Sequence, residues 1–331
     1  MKSFLLFFLL IYASLLSAQQ SSLIQINDTL TAHQYEFSAL AKWKNKILLI
    51  PQNRKNIVDS VFMIDSAAID QSIQNNTLAA HTTFSIKNIK HSGVKKDSLF
   101  IGNILLNKYD GFEAAVVKDD TIFFSLEADT SFCYLIKGMI NERSKSIELL
   151  QDTQHIPNTY NINNAGYESL ALLPQQNLLI AFFECNKDTA TAQAHLFNTS
   201  LKDKPETLKW AQPLYFRLTD VYALNDTELI GINHLFTSKD YPFERDAYIQ
   251  CENLGDVEKQ LSNGGNIDTS FTQLIKLTIE NNKINWQPVA FISLNETDNY
   301  EGIVSFKNGA LIMVDGEPGN NPCKLTYVNL K

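Results

Sequence analysis

Five stretches of the chain share one pattern, in which a short apolar run, a polar turn and a second apolar run follow one another. The third copy extends from Asn164 to Glu184 and turns at Pro174–Asn177. The other copies run from Phe37 to Asn53, from Phe112 to Glu127, from Thr219 to His234 and from Tyr300 to Asp315. Each apolar run has the length of a β-strand, and the polar residues between two runs favour a hairpin turn. A pattern repeated in this way is typical of an architecture built from similar units.

Two further strands follow the hairpin in most units, while almost nothing in the chain has the periodicity of a helix. The second unit, for example, predicts strands at Glu113–Val117, Thr121–Leu126, Phe132–Lys137 and Ser146–Leu150. Repeated units of four antiparallel strands predict an all-β fold, a single β-propeller with five repeat-bearing blades.

The last unit has only three strands, and the alternating stretch Ser22–Asn27 can supply the fourth beside Lys324–Leu330. This N-terminal strand would close the ring. Six blades is the alternative, if Ala67–Ile101 forms a blade without the motif; otherwise Ala67–Lys96 is a polar loop at the end opposite the motif. A β-sandwich whose hairpins resemble one another by chance is a further alternative.

Acidic residues stand at both ends of several copies, so we expect them to gather at one mouth of the central channel. The spacing of these end positions is the same in every copy except the third, whose longer turn widens it. In a hairpin the two positions would face each other, and like charges placed so are destabilising. A hard cation with oxygen ligands would compensate. We therefore predict a calcium site formed by Glu113, Glu127, Glu168, Glu184, Asp220, Glu301 and Asp315.

The alternative for the same carboxylates is that they accept hydrogen bonds from backbone amides of neighbouring blades and simply fix the ring, since buried carboxylates need partners. His234 stands where other copies carry an acid and is a candidate general base; its alternative is a neutral hydrogen-bonding role. Four basic residues on loops predicted to face the mouth could bind an anionic substrate or could be ordinary surface charges. They are Arg54, Lys187, Lys239 and Arg245.

The 331 residues, 44% of them hydrophobic, are enough for a large core, and the formal net charge of −8 argues against nucleic acid as a partner. Residues 1–18 have the positive start, apolar segment and small final residues of a secretory signal peptide, which predicts a periplasmic or extracellular protein. The mature domain, 19–331, has no further transmembrane segment by sequence, and we expect a monomer. The pairing of the cysteines is open among Cys133, Cys185, Cys251 and Cys323.

The motif copies resemble, in order, the successive motifs of the phytase-like (esterase-like phytase) domain family, and less closely those of the SdiA-regulated propellers. The copies that carry the resemblance best are Asn164–Ala171 and Asn299–Ile303. The resemblance implies an exported propeller that binds calcium and hydrolyses phosphate or other esters, with a small anionic ester as substrate. The chain departs from the family at Gln52-Asn53, where an acid is usual, and at Asn233-His234, where Glu-Arg is usual.

Two hypotheses for function stay open. The first is a calcium-dependent ester hydrolase that uses the ring of carboxylates. The second is a non-catalytic propeller that binds an extracellular ligand or partner at its mouth, with a structural cation. Basic residues converging on the acids would favour the hydrolase, and an exposed aromatic rim of Tyr241, Phe243 and Tyr248 would favour the binding protein.

Overall fold

The computed structural model describes residues 21–27, 30, 35–52, 60–91, 98–107, 111–129, 131–159, 166–186, 189–190, 192–214, 216–235, 271–293, 298–315 and 323–330. In these ranges the chain is mostly β-strand. The predictions for Arg54, Lys187, Lys239 and Arg245, for the rim aromatics and for the signal-like segment 1–18 lie outside them.

Most strands group into five units of four. The N-terminal strand is β1 (Ser21–Ile24). Unit 1 contains β2 (Phe37–Trp43), β3 (Lys46–Pro51), β4 (Ser60–Asp65) and β5 (His81–Lys87). A small three-stranded sheet of β6 (Ile89–His91), β7 (Ser98–Ile101) and β8 (Ile104–Asn107) follows it.

Unit 2 contains β9 (Gly111–Lys118), β10 (Thr121–Asp129), β11 (Phe132–Asn141) and β12 (Ser146–Pro157). Unit 3 contains β13 (Ser169–Leu173), β14 (Leu178–Phe182), β15 (Gln193–Asn198) and β16 (Glu206–Trp210). Unit 4 contains β17 (Arg217–Ala223), β18 (Glu228–Leu235), β19 (Phe271–Glu280) and β20 (Lys283–Ser293). Unit 5 contains β21 (Asn299–Phe306), β22 (Gly309–Asp315), β23 (Lys324–Asn329) and β1.

The N-terminal strand completes unit 5, as the sequence predicts. It pairs antiparallel with β23, with Ser21 opposite Val328 and Ile24 opposite Leu325. The other units join in pairs through parallel contacts of their outermost strands. Strand β5 pairs with β12, and β16 pairs with β20, so units 1 and 2 share one eight-stranded sheet and units 3 and 4 another.

The first strands of the five units contact one another in a closed cycle, from β2 to β9, β13, β17, β21 and back to β2. The apolar cores lie between successive units. Trp43 of unit 1, for example, packs in one cluster with Phe112 and Phe124 of unit 2, and Tyr167 of unit 3 packs with Phe123. Alternation along each strand sends one set of side chains to each neighbouring unit, which is why both faces of the inner strands are apolar. The result is an all-β, propeller-like structure.

A helix, α1 (Ser66–Asn75), lies where the sequence predicts part of a polar loop, so that prediction was wrong for these residues. Ile69 is fully buried, and Asn76 ends the helix in the left-handed conformation with its N–H bonded to the Ser72 carbonyl at 2.9 Å. The large apolar residues of the helix are Ile69 and Ile73 alone, which is too weak a periodic signal to stand out in the sequence. Within the described residues no helix has the length and apolar content needed to cross a membrane.

Of the four cysteines, Cys185 is disulfide-bonded, while Cys133 and Cys323 are buried thiols. Cys251 lies outside the described residues. The sequence left the pairing open, and the structure reduces it to one bond that includes Cys185.

Candidate functional site

A β-bulge interrupts the ladder between the first two strands of the units, close to the end where the motif acids stand. The extra residue of the bulge is Ser38 in unit 1, Glu113 in unit 2, Thr219 in unit 4 and Glu301 in unit 5. In unit 3, Ser169 pairs with Phe182. The N–H of Glu184 donates to the Gly166 carbonyl at 3.0 Å, so Glu168 takes the corresponding place.

The bulge overturns the expectation that the acids at the two ends of a copy face each other. The extra residue in one strand shifts the register, so every residue on the far side of the bulge pairs one position further along the partner strand. The residues that do lie opposite each other are Gly111 and Glu127, Arg217 and His234, and Asn299 and Asp315. No direct carboxylate opposition is therefore present across these three ladders.

Asp220 is not the counterpart of Glu113 and Glu301, although the equal spacing of the motif ends suggested so. The unit 4 turn is longer, because Ala223 pairs with Leu229 whereas Phe306 pairs with Gly309 in unit 5. The bulged residue of unit 4 is Thr219. Asp220 is the residue after the bulge, and it pairs with Ile232 in the regular ladder.

The Asp220 carboxylate joins three units through backbone amides. It accepts hydrogen bonds from Val221 and Ile303, both at 2.8 Å, and from Leu40 of unit 1. Gly302 leaves room for this contact, since a Cβ atom there would lie 3.0 Å from the Leu40 nitrogen. Burial raises the pKa of Asp220 well above its usual range, and the three amide hydrogen bonds act in the opposite direction.

A residue at or near the end of each second strand contacts the next unit. Gln52 donates to both oxygens of Glu113 at 3.0 and 3.1 Å, and Asp315 accepts the N–H of Phe37 at 2.9 Å. The His234 ring meets the Tyr300 ring edge-on, with centroids 5.8 Å apart. Glu127 lies beside Gly166, where an added Cβ atom would be 3.7 Å from Glu127 Cγ, and Glu184 forms an ion pair with Arg217, which completes the cycle.

Hydroxyl groups at the bulges add further links between units. Ser38 donates to the Phe112 carbonyl, and Thr219 donates to the Tyr300 carbonyl at 2.6 Å. Each of these hydroxyls therefore occupies the position at which other units carry a glutamate, and each holds the next unit in place.

The remaining glutamates converge with one arginine, and we call this set the mouth cluster. Its members are Glu113, Glu168, Glu184, Arg217 and Glu301. Arg217 Nη1 lies 3.5 Å from Glu184 Oε2 and 4.0 Å from Glu168 Oε2. Arg217 Nη2 donates to Asn299 Oδ1 at 3.4 Å, and Asn299 donates to Glu301 Oε1 at 2.5 Å.

Burial and like charges disfavour ionisation in this cluster. Burial raises the pKa of Glu184 to about 7, although Arg217, the Gly166 amide and a hydrogen bond with Glu168 all lower it. Burial raises the pKa of Glu168 well above its usual range, and the nearby charges of Glu184, Glu301 and Glu113 add to the rise. One guanidinium faces two carboxyl groups here, so protonation of the pair relieves the excess of negative charge.

Arg217 is the residue that sequence reasoning missed. In the phytase-like motifs that the sequence resembles, an arginine is usual at the position of His234. The chain carries its arginine at the start of the first strand, directly opposite His234 across the ladder. A charged residue within the apolar run Leu214–Leu218 was the available signal, since buried charges are rare unless paired.

His234 lies in the interior, with no exposed surface. Its Nδ1 shares a hydrogen bond of 2.9 Å with the hydroxyl of Thr272. These surroundings match the neutral hydrogen-bonding role better than the role of general base.

The contacts of the residues expected to hold calcium show how well they fit the ion. In the part of the chain that the structure describes, no three His, Cys, Asp or Glu side chains converge closely enough to hold a metal ion. The oxygens of Asp220 and Asp315 accept backbone amides, and those of Glu184 face Gly166 and Arg217. The described side chains therefore agree better with the alternative, in which the carboxylates fix the ring, than with a preformed calcium site.

Fold and site together define a mostly β, propeller-like protein in which buried acids link successive units. No family model and no curated protein matches the chain. Among solved structures, a glucose dehydrogenase is similar at a TM-score of 0.48 and 10% identity, covering 94% of this chain and 100% of that one. A PQQ-bound aldose sugar dehydrogenase from Streptomyces coelicolor is similar at 0.45 and 8%, covering 95% and 99%.

A member of the DUF4221 family from Bacteroides vulgatus is similar at a TM-score of 0.42 and 10% identity, covering 95% of this chain and 96% of that one. At these values, none of the three likenesses assigns a family or an activity to the chain.

Proposed function

We propose that the chain is an exported β-propeller of five blades that binds a ligand at the mouth of its channel without converting it. The blades are units 1 to 5. The closed cycle of first strands and the apolar clusters between successive units support this count. The signal-like N-terminal segment of the sequence supports export.

The main observation in favour of a non-catalytic protein is that several of the acids already bind groups within the ring. Asp220 and Asp315 hold backbone amides of other blades, and Glu184 holds Arg217 and the Gly166 amide. A carboxylate engaged in this way supports the ring, as the alternative to metal binding requires.

The ligand is expected to carry positive charge. Glu113 and Glu301 lie close enough to Glu168 for their negative charges to raise its pKa. Arg217 and protonation offset the charge of the Glu168–Glu184 pair, so Glu113 and Glu301 give the described mouth its excess of negative charge. A field of this sign attracts cations and repels a phosphate ester.

A calorimetric and thermal-shift screen tests this. Spermidine, lysine and choline serve as cationic probes, and inorganic phosphate and p-nitrophenyl phosphate as anionic ones. We expect a cationic probe to bind, and the triple variant Glu113→Gln, Glu168→Gln, Glu301→Gln to weaken binding at least about tenfold, which corresponds to ~1.4 kcal/mol.

Glu148→Gln is the matched control, because Glu148 is exposed on β12 and the charge change is the same. Circular dichroism of the triple variant verifies its fold. Binding of the anionic probes alone, or cation binding that the triple variant retains in full, contradicts the proposal.

Calcium-dependent ester hydrolysis is the second candidate, and one observation favours it. A carboxyl group with a pKa of about 7, as at Glu184, can exchange a proton at neutral pH, which general acid–base catalysis needs. Turnover of a phosphomonoester or carboxylester in the presence of calcium, lost in Glu184→Gln and kept in Glu148→Gln, would support the hydrolase over the binding protein.

A further inference from the structure

We infer that Arg217 is the internal counter-ion of the acid ring, supplying from within the protein the positive charge that the sequence led us to expect from calcium. The inference concerns the stability of the ring and does not depend on any ligand at the mouth.

The guanidinium has the position that a bridging cation would need. Arg217 is 3% exposed and belongs to unit 4. Its Nη1 faces Glu184 and Glu168 of unit 3 at 3.5 and 4.0 Å, and its Nη2 reaches Asn299 of unit 5 at 3.4 Å. One side chain therefore spans three successive units at the place where two carboxyl groups meet.

A calcium ion could not take the same oxygens without displacing the arginine. Calcium binds six to eight oxygen ligands at about 2.3–2.6 Å. Glu184 Oε1 already accepts the Gly166 N–H at 3.1 Å, and Glu184 Oε2 faces the guanidinium.

The other acids expected to bind calcium use backbone donors in the same manner. Asp220 accepts the amides of Val221 and Ile303, and Asp315 accepts that of Phe37. Removal of divalent cations should therefore leave the ring intact, whereas removal of the guanidinium should leave Glu184 and Glu168 without their shared cation.

Thermal unfolding of the full exported chain tests the inference in four combinations: wild type and Arg217→Met, each in EDTA and in 5 mM calcium chloride. We expect the wild-type Tm to agree within about 1 °C between the two solutions. We expect Arg217→Met to lose at least about 5 °C in EDTA, because a buried carboxylate then lacks its partner.

The control Arg143→Met removes an arginine from an exposed turn and should change Tm by less than about 1 °C. If Arg217→Met does not fold, the double variant Glu184→Gln, Arg217→Met restores the charge balance, and we expect it to fold and to exceed the single variant in stability. A wild-type Tm that falls by several degrees in EDTA overturns the inference, as does an Arg217→Met Tm equal to that of Arg143→Met.

Discussion

The Asp220 Oδ2 atom accepts a 2.8 Å hydrogen bond from the backbone N–H of Ile303, which lies in the next unit. The same carboxylate also holds amides of its own unit and of unit 1. A single buried side chain thus links units 4, 5 and 1, and units 5 and 1 are the two that meet where the ring closes.

Replacing Asp220 with alanine should lower the free energy of unfolding by about 3 kcal/mol or more, because buried amide donors lose their acceptor and each costs ~1–3 kcal/mol. Urea denaturation measures the change. Asp203→Ala is the control, since Asp203 is exposed, and it should fall within about 0.5 kcal/mol of wild type. A loss at Asp220 no larger than at Asp203 would show that the carboxylate does not hold the ring.

Gly302→Ala should destabilise the protein by ~1–3 kcal/mol, the usual cost of overpacking. The added Cβ would lie 3.0 Å from the Leu40 nitrogen and 3.1 Å from Leu40 Cγ, where β21 packs on β2. The double variant with Asp220→Ala should cost less than the sum of the single changes, because both act on the Leu40 amide. Strict additivity in a double-mutant cycle would contradict this coupling.

His195 should make the fold less stable in acid. It is 4% exposed, and burial lowers its pKa to about 4. The unfolded chain, with a pKa near 6.5, therefore binds more protons than the folded protein between about pH 6.5 and 4, so stability falls as the pH falls through this window. His195→Asn should remove this pH dependence, which amounts to about 3 kcal/mol of stability at most.

The matched control for this slope is His155→Asn, because His155 is an exposed histidine on β12. Urea titrations at half-unit steps from pH 7 to 4 compare the two variants. An unaltered slope in His195→Asn would place the acid sensitivity elsewhere.

Glu184 should act in the opposite sense at higher pH. Its folded pKa of about 7 exceeds the ordinary value of 4.5, so its contribution to stability is complete below about pH 4.5 and is lost as the pH rises through 7. Glu184→Gln should flatten the decline in stability between about pH 4.5 and 7, and Glu148→Gln should not. Chemical denaturation over this range decides, and equal slopes in the two variants would refute the prediction.

The repeat and its closing strand could be predicted from the sequence because both depend on local patterns of apolar and polar residues. The pairing of β1 with β23 follows from such a pattern at Ser22–Asn27. Helix α1 was missed because Ile69 and Ile73 give only two large apolar positions at helical spacing.

The site was harder to predict because it depends on register. A bulge at Glu301 or Thr219 leaves no mark in the sequence, yet it moves the acids by one place and makes spacing alone misleading for Asp220. Arg217 was overlooked for a related reason: it faces His234 across the ladder but lies well before it in the sequence, outside the motif copy. Contacts between units are set by packing, which a single sequence records only indirectly.

The outermost strand of unit 5 is synthesised before every other described strand, and its partner is synthesised after all of them. Ser21 pairs with Val328, so the two strands are separated by almost the whole chain during synthesis. Units 1 to 4 can complete their paired sheets from neighbouring segments, but the fifth cannot be completed until β23 has left the ribosome. Since such non-local pairing slows folding, a nascent chain held just short of Lys324 should carry an open β22 edge, which is a binding site for a chaperone or a cleavage target for a protease.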